Sequence, residues 1–222
     1  MIISFLNQKG GVGKTTLSVN VAAALAAQGQ KVLLIDADKQ GSANTWAGLR
    51  SEPAFQVVNM ARDNMAKEAL QLSADFAVTV IDGPPHAEKI ARSCIIASDF
   101  VVLPIEPSGL STWASDLTVH QVREAQEFKE TLKCGFVVSR KIGKTVIGRD
   151  IRVMAAEAGI PILDAEIEQR VAFAESMTMG KTIFEWSPGS PATKEIERLT
   201  YEILSHVQED LHSSAKAAAT HG

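Results

Sequence analysis

The run Gln8-Lys9-Gly10-Gly11-Val12-Gly13-Lys14-Thr15-Thr16 concentrates residues able to handle phosphate. Its glycines Gly10, Gly11 and Gly13 remove the side chains that would keep a backbone away from an anion, so their N–H groups can turn inward toward a phosphate. Lys14 and Thr15 follow at once: a cation to reach the β- and γ-phosphates and a hydroxyl to bind Mg²⁺. The apolar run Ile2 to Leu6 leads into the loop, and Leu17, Val21, Ala24, Leu25 and Gln28 recur at helical spacing behind it, with Gly29 as a stop. Such a loop binds phosphate in this strand–loop–helix setting, because the positive end of the helix adds to the lysine's charge.

Carboxylates stand where a sheet would bring them to the same edge. Asp36 and Asp38 follow the apolar run Lys31 to Ile35, two residues apart, so their side chains point the same way. Asp82 follows Ala77 to Ile81. One aspartate after a strand is ordinarily a turn or a helix cap. Three of them, beside a phosphate loop on the first strand, mark the carboxyl-end edge at which open α/β sheets bind ligands. Gly83-Pro84-Pro85 then stiffens the next loop, either as a rigid turn or as a switch sensing the γ-phosphate.

The elements that must position these groups are legible as alternation. Ile2 to Leu6, Lys31 to Ile35, Ala77 to Ile81, Phe100 to Leu103 and Gly135 to Val138 are short runs, apolar nearly throughout, as strands of a parallel sheet covered on both faces should be. Residues 111–130 and 144–158 have helical length and pattern, and Ile196, Leu199, Ile203, Leu204 and Val207 form one stripe. The expected fold is an α/β, doubly wound, mostly parallel sheet with helices on both faces, as one domain over residues 1–210 with a frayed tail over 211–222. The 222 residues, 45% hydrophobic with net charge −4, exclude a disordered chain and a disulfide-stapled miniprotein. Cys94 and Cys134 lie in apolar runs and are expected as buried thiols of a reduced, cytoplasmic protein. No apolar stretch approaches the roughly 18 residues of a membrane span, and Met1 to Leu6 lacks the basic start of a signal peptide. His86, His120, His206, His212 and His221 show no metal-ligand spacing.

The phosphate loop departs from the usual pattern: Gln8 stands where a glycine is ordinary, and Lys9 adds a second cation near the start. In this it resembles the ParA/MinD family of ATPases, particularly the small plasmid-partition ParA proteins. The resemblance extends through Ile35-Asp36-Ala37-Asp38, Val80-Ile81-Asp82-Gly83-Pro84-Pro85, Gln169 to Glu175 and Gly180 to Ile183. It implies Mg²⁺-dependent ATP hydrolysis, with ATP held by Lys9, Gly10, Gly11, Val12, Gly13, Lys14, Thr15 and Thr16. It implies Mg²⁺ near Thr15, Asp36 and Asp82, and a water oriented by Asp38. Lys9 would cross an ATP-dependent homodimer interface to the partner's phosphates. Lys39 stands where the family usually has proline, which implies slower or differently triggered hydrolysis. Pro107 to Ser111, with Trp113, resembles a loop near that interface; Trp113 equally suits a core anchor.

The resemblance also implies nucleoid-associated, non-specific DNA binding by the ATP-bound dimer, through Arg170 and Arg198 first and Lys181 and Lys194 second. A cargo-bound, ParB-like or adaptor protein would stimulate hydrolysis; the cargo could be a plasmid, a chromosome or a protein assembly such as carboxysomes. Arg140, Lys141, Lys144, Arg149 and Arg152 form a basic cluster against the single acid Asp150. Two readings of it stay open: a nucleic-acid footprint, or an Arg140 that lines the adenine pocket. The chain begins at Met1 directly before the first strand, so no separate operator-reading module is expected. A MinD-like membrane ATPase is the first alternative, but Asp210 to Lys216 is too polar and weakly basic for an amphipathic anchor. An iron–sulfur reductase needs cluster cysteines on exposed loops, and a metabolic ligase has no need of Lys9.

Overall fold

The computed structural model describes residues 1–107, 117–143 and 149–219, with side chains at 149–152, 154 and 208–219 left aside. The strands are β1 (Ile2–Phe5), β2 (Val32–Asp36), β3 (Gln56–Asn59), β4 (Val78–Asp82), β5 (Phe100–Ile105), β6 (Lys133–Lys141) and β7 (Ile162–Glu168). They form one sheet in the order β3-β2-β4-β1-β5-β6-β7, every pairing parallel. The chain therefore leaves β1 in one direction for β2 and β3, returns through β4, and continues past β1 to β5, β6 and β7. That reversal is the switch point of a doubly wound sheet, where a crevice opens outside the strand ends.

Five strands occupy the apolar runs anticipated above. The two edge strands do not have such runs. β3 is exposed at both ends, and β7 alternates buried with less buried positions. An edge strand covered incompletely lacks the continuous apolar signature of a central one. Asp36 and Asp82 end β2 and β4, as the sequence suggests.

Nine helices complete the described chain: α1 (Lys14–Ala27), α2 (Ser42–Gly48), α3 (Ala66–Ser73), α4 (Glu88–Ala97), α5 (Leu117–Phe128), α6 (Arg149–Ala158), α7 (Val171–Thr178), α8 (Ile183–Trp186) and α9 (Pro191–Ala219). Alternation along β1 divides the core in two. Ile2 and Leu6 pack with Ile90, Cys94, Val119 and Val122 on one face. Ile3 and Phe5 pack with Leu17, Val21, Leu25, Ile196, Leu199 and Ile203 on the other. Burying each such side chain stabilises the fold by about 1.5–3 kcal/mol, so the flanking helices hold the strand carrying the phosphate loop from both sides. Burial pushes the thiols of Cys94 and Cys134 up to about 12 and about 11, consistent with inert core residues.

α9 carries the expected stripe and continues through 211–219, the stretch whose small, polar composition suggested fraying. Alanines and Lys216 there have high helix propensity, which extends the helix beyond its apolar stripe. Pro107 begins the loop compared above with a family interface; Ser108 to Ser111 and Trp113 lie outside the described residues, as does Lys144.

Candidate functional site

The sheet's register assembles the site. Asp36 of β2 pairs with Asp82 of β4, and Asp82 pairs with Phe5 of β1, so both carboxylates stand level with the strand end that feeds the phosphate loop. Both aspartates are fully buried. α1 starts at Lys14 behind Gly13, which has φ +97° and offers no side-chain cap. The first N–H groups of α1 are thus left for an anion rather than for a capping oxygen. A side chain at position 13 would meet the Ser139 hydroxyl at 2.9 Å and would also be strained by the backbone. Gly83 is required for closeness instead: a Cβ there would lie 2.1 Å from Leu6 and 2.8 Å from the Phe5 carbonyl oxygen.

Lys14 is buried, and its Nζ donates to the Lys9 carbonyl at 3.0 Å across the loop. Thr15 donates its hydroxyl to Asp82 Oδ2 at 2.7 Å, while Asp82 Oδ1 is buried without a hydrogen-bond partner. An orphaned buried carboxylate oxygen beside a threonine hydroxyl suits a hydrated Mg²⁺ that takes its remaining ligands from water and phosphate. Among the described residues there is no group of three or more His, Cys, Asp or Glu able to hold a metal alone. Asp36 is engaged differently. Its two oxygens accept the N–H groups of Asp38 (3.1 Å) and Asn44 (2.8 Å), so it shapes the loop after β2 and holds the start of α2. Asp38 is half-buried at the head of that loop and accepts the Gln40 N–H at 3.0 Å; Lys39 is exposed beside it.

Burial pushes the Asp82 carboxyl up to about 7; the Thr15 hydrogen bond and Lys14 oppose that rise, and the charge of Asp36 adds to it. Asp36 is raised too, chiefly by burial. Between a pH of about 4 and about 7 the folded chain retains a proton on Asp82 that the unfolded chain has released, so stability falls as pH rises through that window. Asp82→Asn is therefore expected to stabilise the magnesium-free protein at pH 8, by up to about 4 kcal/mol, and to give little gain at pH 4. Urea midpoints in chelator at the two pH values check this; equal shifts at both would refute it.

A cleft of about 650 Å³ opens beside the loop, bounded by Gly11, Gly13, Thr16, Ser139, Arg140 and Arg170 among others. Its volume suits a nucleoside next to the phosphate cradle. Arg140 turns into this region: its Nη1 donates to the Gly11 carbonyl at 2.8 Å and lies 3.4 Å from Glu106. Lys141 pairs with Glu166. Two members of the basic cluster are thus engaged within the chain, and Arg140 borders the cleft beside the phosphate loop. Arg149 and Arg152 lie on α6.

Arg170 also departs from expectation. Rather than facing outward, it lines the cleft and is held by Glu195 at 2.6 Å and Glu168 at 2.8 Å, a pairing that raises its already high pKa. Lys194 and Arg198 are exposed one turn apart on α9, and the amine of exposed Lys181 lies over Trp186, 5.5 Å from the ring centre. The Lys9 side chain is 53% exposed, and its amine pairs with Glu106 at 2.7 Å. Sequence reasoning missed Glu106 and Asn7. Glu106 directly follows an apolar strand, as the aspartates do, so the same strand-end rule would have found it.

This phosphate loop, at the switch point of an all-parallel sheet and backed by strand-end aspartates, defines a P-loop nucleotide-binding protein. Residues 3–183 match the CobQ/CobB/MinD/ParA nucleotide binding domain, and the chain belongs to that family. It is 30% identical over 210 residues to "Maintenance of carboxysome distribution protein A" of Halothiobacillus neapolitanus, covering 91% of this chain and 95% of that protein. It is 30% identical over 242 residues to the "Chromosome-partitioning ATPase Soj" of Thermus thermophilus, covering 93% and 96%. Among solved structures it resembles MinD of Pyrococcus horikoshii complexed with Mg-ADP, with a TM-score of 0.70 at 20% identity over 91% of this chain and 95% of that one. That likeness concerns the fold.

Proposed function

We propose that this chain is a ParA-type positioning ATPase: ATP joins two copies face to face, the pair binds DNA without sequence preference, and hydrolysis triggered by a cargo-bound partner separates them. The observation that carries this is the division of labour between two lysines. Lys14 is buried within its own loop, whereas Lys9 stands at the rim with a half-exposed side chain. A second rim cation offsets the charge of two facing triphosphates when it reaches across to the other chain. Both relatives above carry names of positioning or partition proteins, which supports a cargo of that kind.

In this reading Lys14 and the N–H groups of the loop bind the β- and γ-phosphates. Thr15 and Asp82 would hold Mg²⁺, which supplies charge neutralisation on the phosphates when bound. Asp36 keeps the Asp38 loop in place. Asp38 orients a water for attack on the γ-phosphorus, and the bond to the β-phosphate oxygen breaks to leave ADP and phosphate. Lys194, Arg198 and Lys181 are the exposed cations offered to DNA, each phosphate contact adding about 0.9 to the slope of log affinity against log salt. Among the described residues no helix is long and apolar enough to cross a membrane.

Sedimentation tests the reading. The unmodified chain should double its mass with a non-hydrolysable ATP analogue and remain single with ADP or without nucleotide. Lys9→Ala should remain folded yet single in all three conditions and lose DNA retention with it. One oligomeric state under every condition would reject the proposal.

A further inference from the structure

Glu106 is the first residue past β5 and stands at the sheet edge that bears Asp36 and Asp82. Its side chain is largely buried, 17% exposed, and it engages two cations on separate segments. Oε2 accepts from Lys9 Nζ at 2.7 Å, and Oε1 lies 3.4 Å from Arg140 Nη1. Both cations border the phosphate loop: Lys9 belongs to it, and Arg140 also donates to the Gly11 carbonyl. Arg140 has φ +56°, a left-handed backbone that a non-glycine residue keeps only where its surroundings hold it. Asn7 closes the arrangement. Its Oδ1 accepts the Lys9 N–H at 2.8 Å and its Nδ2 donates to the Pro104 carbonyl at 2.7 Å, tying the start of the loop to the strand that directly precedes Glu106.

A carboxylate in this place has two electrostatic effects on an arriving polyphosphate. It occupies the two cations that would attract the anion, and its own charge repels it; both effects are strengthened by partial burial. The geometry points to Glu106 as a positioning residue that competes with nucleotide phosphate for Lys9 and Arg140. It thereby couples phosphate binding to release of the Lys9 amine. This rests on the nucleotide-binding reading above and adds to it a reason why Lys9 reaches a second chain only once phosphate has replaced Glu106. Nucleotide affinity is lowered by the competition, and the presentation of Lys9 becomes conditional on it.

The test is titration of the full chain with a fluorescent ADP derivative at low salt. ADP is chosen because its binding reads a single chain and does not depend on dimer formation. E106Q should tighten ADP binding about threefold to tenfold, the range expected from freeing two partly exposed pairs, and E106D should stay near the unmodified chain. In a chain carrying both K9A and R140A, E106Q should change affinity less than twofold, since the cations it frees are gone. Unchanged or weaker ADP binding in E106Q with an unshifted urea midpoint overturns the proposal, as does an equal gain in the K9A/R140A background. Should E106Q fold poorly, E106A replaces it with the same expected sign and the same two overturning results. Sedimentation of these proteins reads dimerisation separately, so failure of the dimer reading leaves the ADP result interpretable. Absence of ADP binding by the unmodified chain would instead reject the nucleotide site on which both stand.

Discussion

Lys14→Ala should abolish measurable nucleotide binding while leaving a folded chain. The side chain is buried at the first position of α1, and its amine donates to the Lys9 carbonyl of the same loop. The ligand loses a great deal, because a desolvated cation on a phosphate is worth far more than a surface pair. Truncating one partner of such a pair costs about 2–5 kcal/mol, or roughly 30- to 5,000-fold in affinity. Lys14 also restrains the upward shift of Asp82. Its loss raises that carboxyl further and weakens any magnesium the pair would share. Calorimetric titration with Mg-ADP checks the expectation; a dissociation constant within threefold of the unmodified chain would remove Lys14 from the site.

Asp38→Ala should separate binding from turnover. The phosphate loop and the Asp82 pair do not depend on the Asp38 side chain, so ATP should bind and the dimer should form. The loop should also keep its course. Asp36 still accepts the backbone N–H of residue 38 and that of Asn44. Beyond it α2 is anchored by Trp46, whose Nε1 donates to the Lys181 carbonyl, and by Arg50, which donates to the Gly180 carbonyl and to both oxygens of Glu185. What is removed is the carboxylate that orients water. Positioned acid–base groups typically contribute about 10²–10⁴-fold, and a loss of that size in single-turnover phosphate release is expected, with the protein held in its DNA-bound form. A rate within threefold of the parent would reject the role.

The parts of the site that could be read without coordinates are those whose chemistry is local. Lys9 to Thr16 bring glycine freedom, a cation, a hydroxyl and a helix start together within a few residues, so the cradle is specified by its own segment. The central strands were equally legible, since a strand covered on both faces must be apolar nearly throughout. β3 and β7 were not, because half-covered edges read as ordinary polar alternation. Arg170 shows the same limit for charge. The resemblance offers it as a cation for DNA, yet in the fold Glu168 and Glu195, the latter on α9, both pair with it.

The amino-acid order alone determined the phosphate-loop pattern, the segment that carries it, and which aspartates end the neighbouring strands. Only the packed sheet decided which charges meet: that Asp36 and Asp82 stand level, that Arg140 turns onto Gly11, and that Glu106 lies between Lys9 and Arg140. The physical reason is reach. Hydrogen-bond geometry within a tight loop follows from adjacent residues, whereas ion pairs between strand ends depend on strand order and register, which the whole core determines.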